Sequence, residues 1–114
     1  MINQDNLKIG NKIFRSRLMV GTGKYQSHQV MIDSLENSKS EIITVAIRRI
    51  DIHDDNKNLL KFIDWSKYWM LPNTAGCKNC DEAIRIAELG RELAKISGQE
   101  DNNFIKLEVI PDTK

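Results

Sequence analysis

The sequence predicts an α/β fold with parallel strands, on the basis of three observations. Short apolar runs alternate with stretches of helical periodicity along most of the 114 residues. Residues 41–47 form a continuous run rich in β-branched side chains, which is typical of a strand buried on both faces. Two charged residues, Lys106 and Glu108, interrupt another such run. Strands that alternate with helices imply a parallel sheet joined by right-handed crossovers.

The first predicted elements are a hairpin and one strand-helix unit. Residues 7–14 alternate around Gly10 and Asn11, a turn signal, and predict a short hairpin that serves as a lid or plug. The glycine-broken apolar run at 17–23 predicts the first strand of the main sheet. Ser27 then suits the N-cap of a helix. The inward stripe of that helix is Val30, Met31, Ser34, Leu35 and Ser38.

Three further strands follow in the predicted order. A second strand at 41–47 leads through polar residues to a short helix near 59–63. A third strand at 65–72 ends at a proline and precedes the clearest helix of the chain, over 81–97. That helix starts with acidic residues, which favour its positive end, and stops before a glycine. The run at 104–110 predicts a fourth strand.

Two architectures share this pattern, an open doubly wound sheet and a (β/α)8 TIM barrel. In the strand at 104–110, Lys106 and Glu108 lie on the same face, and a charged inner face favours the barrel. A barrel needs eight strands and about 250 residues, so residues 1–114 are expected to form the N-terminal part of a single TIM-barrel domain. The predicted fold is therefore the hairpin followed by the first four βα units, in a fragment that lacks the C-terminal half.

Composition and charge argue against several classes of protein. Seventeen basic and sixteen acidic residues leave a formal charge of +1, which argues against capture of nucleic acid or of an anionic membrane surface. No apolar run approaches the roughly 20 residues of a membrane helix, and the polar first residues lack the pattern of a signal peptide. A cytoplasm-like compartment is therefore expected.

Two short motifs fail the tests for the sites that they suggest. The Gly-Thr-Gly-Lys sequence at 21–24 lacks the Walker spacing, and Gln26 occupies the third glycine position of a dinucleotide fingerprint. A structural turn and a substrate loop at a strand's carboxyl end both remain open there. Cys77 and Cys80 have the CxxC spacing but no second pair of ligands, which favours incidental thiols over a zinc or redox site.

Two pairs of charged residues each allow two interpretations. Arg48 and Arg49 follow a buried strand, where they form either a solvated rim or a contact with an anionic substrate. Lys106 and Glu108 form an internal ion pair or a wet strand face on one interpretation. On the other, a lysine amine in a low-dielectric cavity becomes a nucleophile towards carbonyls, and a carboxylate about 6.6 Å along the strand shuttles protons.

Six stretches of the chain carry a resemblance to a known family. They are FRSRL at 14–18, GTGKY at 21–25, TVAIRR at 44–49, LPNTAG at 71–76, EAIR at 82–85 and IKLEVI at 105–110. In this order, they closely resemble the N-terminal part of the thiazole synthase family of thiamin biosynthesis. Members of that family are (β/α)8 barrels, so the resemblance independently implies the same fold and the same truncation.

The resemblance implies roles for residues at matching positions. It places on Lys106 the family's catalytic lysine, which forms an imine with the ketone of 1-deoxy-D-xylulose 5-phosphate. It places the acid/base glutamate on Glu108. Weaker candidates for substrate binding lie where the predicted strands end, and they are Gly21, Gly23, Arg48, Asn73 and Thr74. The resemblance implies no metal and no cofactor.

The resemblance also implies partners for the whole enzyme. They are dehydroglycine and a small sulfur-carrier protein whose C-terminal thiocarboxylate donates sulfur, with a homo-oligomer expected at full length. Neither nucleic acid nor membrane is expected as a partner, and the expected compartment is the cytoplasm, or alternatively the plastid stroma. Because the family's phosphate-binding loops belong to the absent half, this chain alone is expected to be inactive. The alternatives are a Schiff-base aldolase and a non-catalytic truncated product or interaction remnant with exposed sheet edges.

Overall fold

The chain folds into a small hairpin beside a parallel sheet. A computed structural model describes residues 5–23, 25–54 and 58–112, so Lys24 of the glycine loop lies outside the described residues. The hairpin is antiparallel and consists of β1 (Leu7–Ile9) and β2 (Lys12–Phe14). The sheet has three parallel strands in chain order, and they are β3 (Met19–Gly21), β4 (Ile42–Ala46) and β5 (Trp69–Asn73).

Two α-helices connect and follow these strands. Helix α1 (His28–Ser38) follows β3, and α2 (Cys80–Ile96) follows β5. Short 3₁₀ helices at Ile47–Arg49 and Leu59–Phe62 lie in the connection from β4 to β5. The predicted α/β class with a parallel sheet and a leading hairpin is therefore confirmed. Within the described part of the chain, neither α-helix is both long and apolar enough to span a bilayer.

Both α-helices begin at side-chain caps. The Ser27 hydroxyl accepts a hydrogen bond from the Val30 amide at 3.1 Å, which confirms the predicted N-cap of α1. In α2, the Asn79 side chain accepts from the Glu82 amide at 2.9 Å. The Glu82 carboxylate accepts in turn from the Lys78 amide at 2.7 Å, so the two side chains cap the start of α2 reciprocally.

Strand alternation gives the sheet two different faces. Ile43 and Val45 of β4 point to the helix side, where they join a cluster with Met31 and Leu35 of α1. Helix α2 approaches β5 closely because Gly90 has no side chain: a Cβ there would lie 2.8 Å from the Cβ of Pro72. The helix side therefore holds the larger part of the core. Its other buried members are Ile47, Leu60, Ile63, Trp65, Tyr68, Met70, Leu93 and Ala94.

The hairpin covers the amino end of the opposite face. Phe14 of β2 is buried against Ile42 and Leu71, which are residues of that face. Its ring lies 6.1 Å from the ring of Phe104, and Phe104 lies 5.6 Å from Trp69, both with edge-to-face geometry. Of the two predicted roles for the hairpin, lid or plug, the structure supports a plug at the amino end of the sheet.

Two predicted elements are shorter than the sequence pattern indicated. The helix expected near 59–63 is a single 3₁₀ helix, Leu59–Phe62. The third strand starts at Trp69 and not at residue 65, because the segment before it turns. In that turn the Lys67 and Tyr68 amides both donate to the Asp64 carbonyl oxygen, at 3.0 and 3.3 Å, which prevents extended pairing.

The prediction of a fourth strand at 104–110 was wrong, because this segment does not form a strand. It contributes one isolated parallel bridge, between Lys106 and Asn73. The Lys106 amide donates to the Pro72 carbonyl oxygen at 2.8 Å, and the Thr74 amide donates to the Lys106 carbonyl oxygen at 3.2 Å. The segment therefore lies beside β5 without a continuous ladder.

Side chains explain why the ladder stops on the amino side of this bridge. The Met70 amide of β5 donates to the Gln99 side-chain oxygen at 3.1 Å, and the Met70 carbonyl accepts from the Asn102 amide group at 2.7 Å. The Gln99 amide group also donates to the Trp65 and Tyr68 carbonyl oxygens, at 2.9 and 2.7 Å. These buried amides satisfy the edge of β5, so no backbone partner is needed there.

Candidate active site

The carboxyl ends of the parallel strands surround a cavity of about 190 Å³. Thr44 and Ala46 of β4 and Asn73 of β5 reach it because alternate strand residues share this face. Ligands of parallel α/β folds bind at this end of the sheet, where the loops that follow the strands meet. The remaining lining residues are Gly21, Thr22, Gly23, Arg49, Leu59, Ala75, Lys106 and Glu108.

Lys106 and Glu108 both line this one cavity. Lys106 is exposed and Glu108 is half-buried, as on the wet strand face that the sequence also allowed. Leu107 of the opposite, apolar face is also 71% exposed. The described residues supply three parallel strands and one bridged segment to this sheet.

Glu108 is held by three hydrogen bonds from the loop after β5. Its amide donates to the Thr74 hydroxyl at 2.8 Å, and its carbonyl oxygen accepts from the same hydroxyl at 2.8 Å. Its carboxylate oxygen Oε2 accepts from the Gly76 amide at 3.3 Å. Thr74 is fully buried, at 0% exposure, so it acts behind the cavity wall and does not line the cavity.

The cavity floor is a chain of hydrogen bonds between neighbouring strands. The Thr44 hydroxyl donates to the Leu71 carbonyl oxygen at 2.9 Å and accepts from the Asn73 amide group at 2.9 Å. The Asn73 side-chain oxygen accepts from the Ala75 amide at 3.1 Å. The Thr22 hydroxyl donates to the Thr44 carbonyl oxygen at 3.2 Å. These bonds fix the Asn73 side chain in one orientation at the cavity surface.

The structure brings together some of the predicted site residues and separates others. Gly21, Gly23 and Asn73 line the cavity with Lys106 and Glu108, whereas Thr74 lies behind it. Arg48 lies outside the cavity lining, and its guanidinium Nη1 donates to the carbonyl oxygen of Gly76.

Arg49 is the arginine that lines the cavity, although the sequence favoured Arg48. The two residues are neighbours in the 3₁₀ helix Ile47–Arg49, where successive side chains point about 120° apart because the helix has three residues per turn. A Cβ at Gly23 would lie 3.4 Å from Arg49 Nη1, so the glycine leaves space for the guanidinium. Other lining residues not predicted are Thr22, Thr44, Ala46, Leu59 and Ala75.

The two cysteines lie apart from this cavity. Cys77 is buried and Cys80 is exposed at the first position of α2, and both are free thiols. Within residues 5–23, 25–54 and 58–112, no three His, Cys, Asp or Glu side chains group closely enough to hold a metal ion. Neither cysteine side chain lines the cavity.

Comparison with known proteins adds an independent finding. The family model of the thiazole biosynthesis protein ThiG matches residues 8–114. A thiazole synthase of Prochlorococcus marinus subsp. pastoris is 70% identical over 108 residues, which are 95% of this chain and 41% of that relative. A thiazole synthase of Prochlorococcus marinus strain MIT 9215 is 69% identical over 114 residues, which are 100% of this chain and 43% of that relative. The chain thus spans about two fifths of the length of the curated relatives that it matches.

Proposed function

The chain belongs to the family of the thiazole biosynthesis protein ThiG, and on that premise we propose that it supplies the imine-forming part of a thiazole synthase active site. The observation that carries this proposal is the shared cavity of Lys106 and Glu108 at the carboxyl end of the sheet. We further propose that residues 1–114 form the N-terminal part of a TIM-barrel domain whose remaining strands cover the open face.

Lys106 is proposed as the nucleophile. Its neutral amine nitrogen attacks the ketone carbon of 1-deoxy-D-xylulose 5-phosphate, and the carbonyl oxygen gains a proton while the nitrogen loses one, which gives a carbinolamine. The hydroxyl group then takes up a proton and leaves as water, and loss of the remaining N–H proton yields the imine. The backbone of Lys106 is fixed on both sides by the bridge to β5, so the side chain starts from a defined point on the cavity wall.

Glu108 is proposed as the proton shuttle for these steps. It follows Lys106 by two residues, so the two side chains start from different points of the segment and reach different atoms of one bound molecule. Its carboxylate is oriented by the Gly76 amide and lines the same cavity. A half-buried carboxylate can both exchange protons with solvent and contact a ligand.

The other substrates follow from the family. We propose dehydroglycine as the second substrate and the thiocarboxylate of a small sulfur-carrier protein as the sulfur donor, in a homo-oligomeric enzyme of the cytoplasm. Besides Lys106, the described lining of the cavity presents the cationic side chain of Arg49 and the amide side chain of Asn73 to such ligands. Gly21 and Gly23 bring backbone to the cavity edge, where a ligand can approach closely.

The test uses a hybrid chain, in which residues 1–114 replace the matching segment of the Prochlorococcus marinus strain MIT 9215 relative. Borohydride is expected to trap the deoxyxylulose phosphate on Lys106, as located by peptide mass spectrometry. Lys106→Ala should abolish trapping, whereas Lys95→Ala, an exposed lysine of α2 away from the cavity, should leave it unchanged. Trapping that persists in Lys106→Ala would reject the assignment.

Product analysis separates this function from that of a Schiff-base aldolase. The hybrid chain is expected to form the thiazole phosphate only when the thiocarboxylated carrier is supplied together with dehydroglycine. Cleavage of the sugar phosphate without the carrier would instead identify an aldolase, which needs only the imine.

A further inference from the structure

We propose that Thr74, Gly76 and Arg48 are positioning residues that set the place and orientation of the Glu108 carboxylate. This inference rests on the proposed role of Glu108 as the proton shuttle. Thr74 fixes the backbone of Glu108, Gly76 fixes its carboxylate, and Arg48 fixes the loop that carries Gly76. None of the three is assigned a contact with the reacting atoms.

At Glu108, hydrogen bonds from the Thr74 side chain take the place of the backbone hydrogen bonds that a continuous β ladder would provide. The segment that carries Lys106 and Glu108 pairs with β5 through backbone atoms only at Lys106. Two residues further on, the Thr74 hydroxyl donates to the Glu108 carbonyl oxygen and accepts from the Glu108 amide, both at 2.8 Å. A hydroxyl can do both at once, and its burial excludes water as a competitor. Between the backbone hydrogen bonds at Lys106 and Ile110, the Thr74 hydroxyl is therefore the group that holds the backbone of Glu108.

Gly76 and Arg48 fix the carboxylate of Glu108, whereas Thr74 fixes its backbone. The Gly76 amide donates to Glu108 Oε2 at 3.3 Å, from a backbone with φ of +91°, a region that favours glycine. The carbonyl oxygen of Gly76 accepts a hydrogen bond from Arg48 Nη1. A Cβ at Gly76 would lie 2.8 Å from that same nitrogen, so the guanidinium occupies the space left by the absent side chain.

This arrangement gives Arg48 a different role from the one expected for a substrate-binding arginine. A substrate contact would mainly raise KM when removed, because it contributes equally to the ground state and the transition state. A positioning contact would mainly lower kcat, because proton transfer depends on a carboxylate held at the correct distance. The kcat against KM split therefore separates the two roles.

The test compares Thr74→Val with Thr74→Ser in the hybrid chain. Valine keeps the shape but loses both hydrogen bonds, so kcat is expected to fall by roughly 10- to 100-fold with KM within about twofold. Serine keeps the hydroxyl and should restore kcat to within about threefold. Borohydride trapping on Lys106 at saturating ketone should persist in both variants, because the backbone bridge at Lys106 is retained.

A second variant keeps the inference open to refutation if Thr74→Val folds poorly, and amide exchange adds a structural measurement if it folds. Arg48→Met changes an exposed residue and should lower kcat by about three- to tenfold without raising KM. Amide hydrogen exchange at Glu108 should accelerate in Thr74→Val and not in Thr74→Ser. Ser40→Ala is the matched control, because it removes a buried hydroxyl that bonds backbone at the other end of the sheet, and kcat should not change.

The outcomes distinguish this inference from the proposed function. Absence of trapping on Lys106 in the unmodified hybrid would reject the proposed function. Trapping with an unchanged kcat in Thr74→Val would reject only the positioning role. An Arg48→Met variant with raised KM and unchanged kcat would assign Arg48 to substrate binding and would reject its role in positioning Glu108.

Discussion

At the amino end of the sheet, the hairpin covers the strands with Phe14, and aromatic rings of Trp69 and Phe104 pack against one another. At the carboxyl end of the same strands, threonine, asparagine, lysine and glutamate side chains surround a cavity. The amino end thus has a plug, whereas the carboxyl end is open, although the strands that reach both ends are only three to five residues long.

On the proposed function, the packing that stabilises the fold lies at one end of the sheet and the reacting groups lie at the other end. Apolar burial at the amino end stabilises the fold by the removal of surface from water. At the carboxyl end the polar groups are mutually hydrogen-bonded, so they remain at the surface of a cavity without an apolar cover. Substitutions at the amino end should therefore change the free energy of unfolding, and those at the carboxyl end should change the reaction.

The largest expected effect is on activity and association, and it comes from the open edges of the sheet. The 114-residue chain alone should show no thiazole formation, because three strands and one bridged segment leave Met19 and Leu107 exposed at the two sheet edges. It should also associate at micromolar concentration, as measured by sedimentation velocity, whereas the hybrid chain should be active. A monodisperse and cooperatively unfolding 114-residue monomer would contradict this expectation.

The plug gives the next largest effect. Phe14 is 4% exposed, and Phe14→Ala should lower the free energy of unfolding of the hybrid chain by about 3–5 kcal/mol. Its neighbour Ile13 is 61% exposed and provides the control: Ile13→Ala should cost less than about 0.5 kcal/mol. Urea denaturation measures both values. A loss of kcat in Phe14→Ala at temperatures where the variant is folded would show that the amino end of the sheet also affects the reaction at the carboxyl end.

The buried amides beside β5 give a smaller effect. Gln99→Leu leaves the Met70 amide and the Trp65 and Tyr68 carbonyl oxygens without their partner, at a cost of about 2–3 kcal/mol. Amide exchange at Met70 should accelerate as well. Glu100→Ala, at the exposed neighbouring position, is the control and should be nearly neutral. An unchanged urea midpoint in Gln99→Leu would show that another group replaces the amide.

Local signals explain which parts of the fold the sequence could predict. The turn at Gly10 and Asn11, the cap at Ser27 and the apolar stripe of α2 depend on residues close in the chain. Each element that they predict is present. Lys106 and Glu108 were also placed on one face by strand periodicity, and the structure has both in one cavity.

Long-range contacts explain the parts that could not be predicted. The run at 104–110 has the composition of a strand, but amides of Gln99 and Asn102 occupy the edge of β5 that it would pair with. The choice between Arg48 and Arg49 depends on a 3₁₀ helix that has no sequence signal of its own. The exposure of Lys106 depends on what packs against its side of the sheet, which strand periodicity alone could not establish.

The smallest expected effect lies in the exposed turn before β5, at the amino end. Hydrogen bonds from the Ser66 hydroxyl and then from the Ser66 amide lower the pKa of Asp64 below its ordinary value of 3.8. A lowered pKa in the folded state means that the ionised carboxylate stabilises the fold above pH 3.8, and that this contribution is lost as the pH falls through the folded-state pKa. Ser66→Ala should therefore lower the urea midpoint slightly at pH 7.

The pH dependence distinguishes this turn from the plug. The difference in urea midpoint between the unmodified hybrid and Ser66→Ala should shrink below pH 3.8 and become constant once Asp64 is protonated in both folded states. Repeating the substitution on an Asp64→Asn background removes the titrating group, so the remaining difference should not depend on pH. The Phe14→Ala effect involves no ionised group and should not follow this titration. A pH-independent Ser66→Ala effect would show that the hydroxyl stabilises the turn without the Asp64 charge.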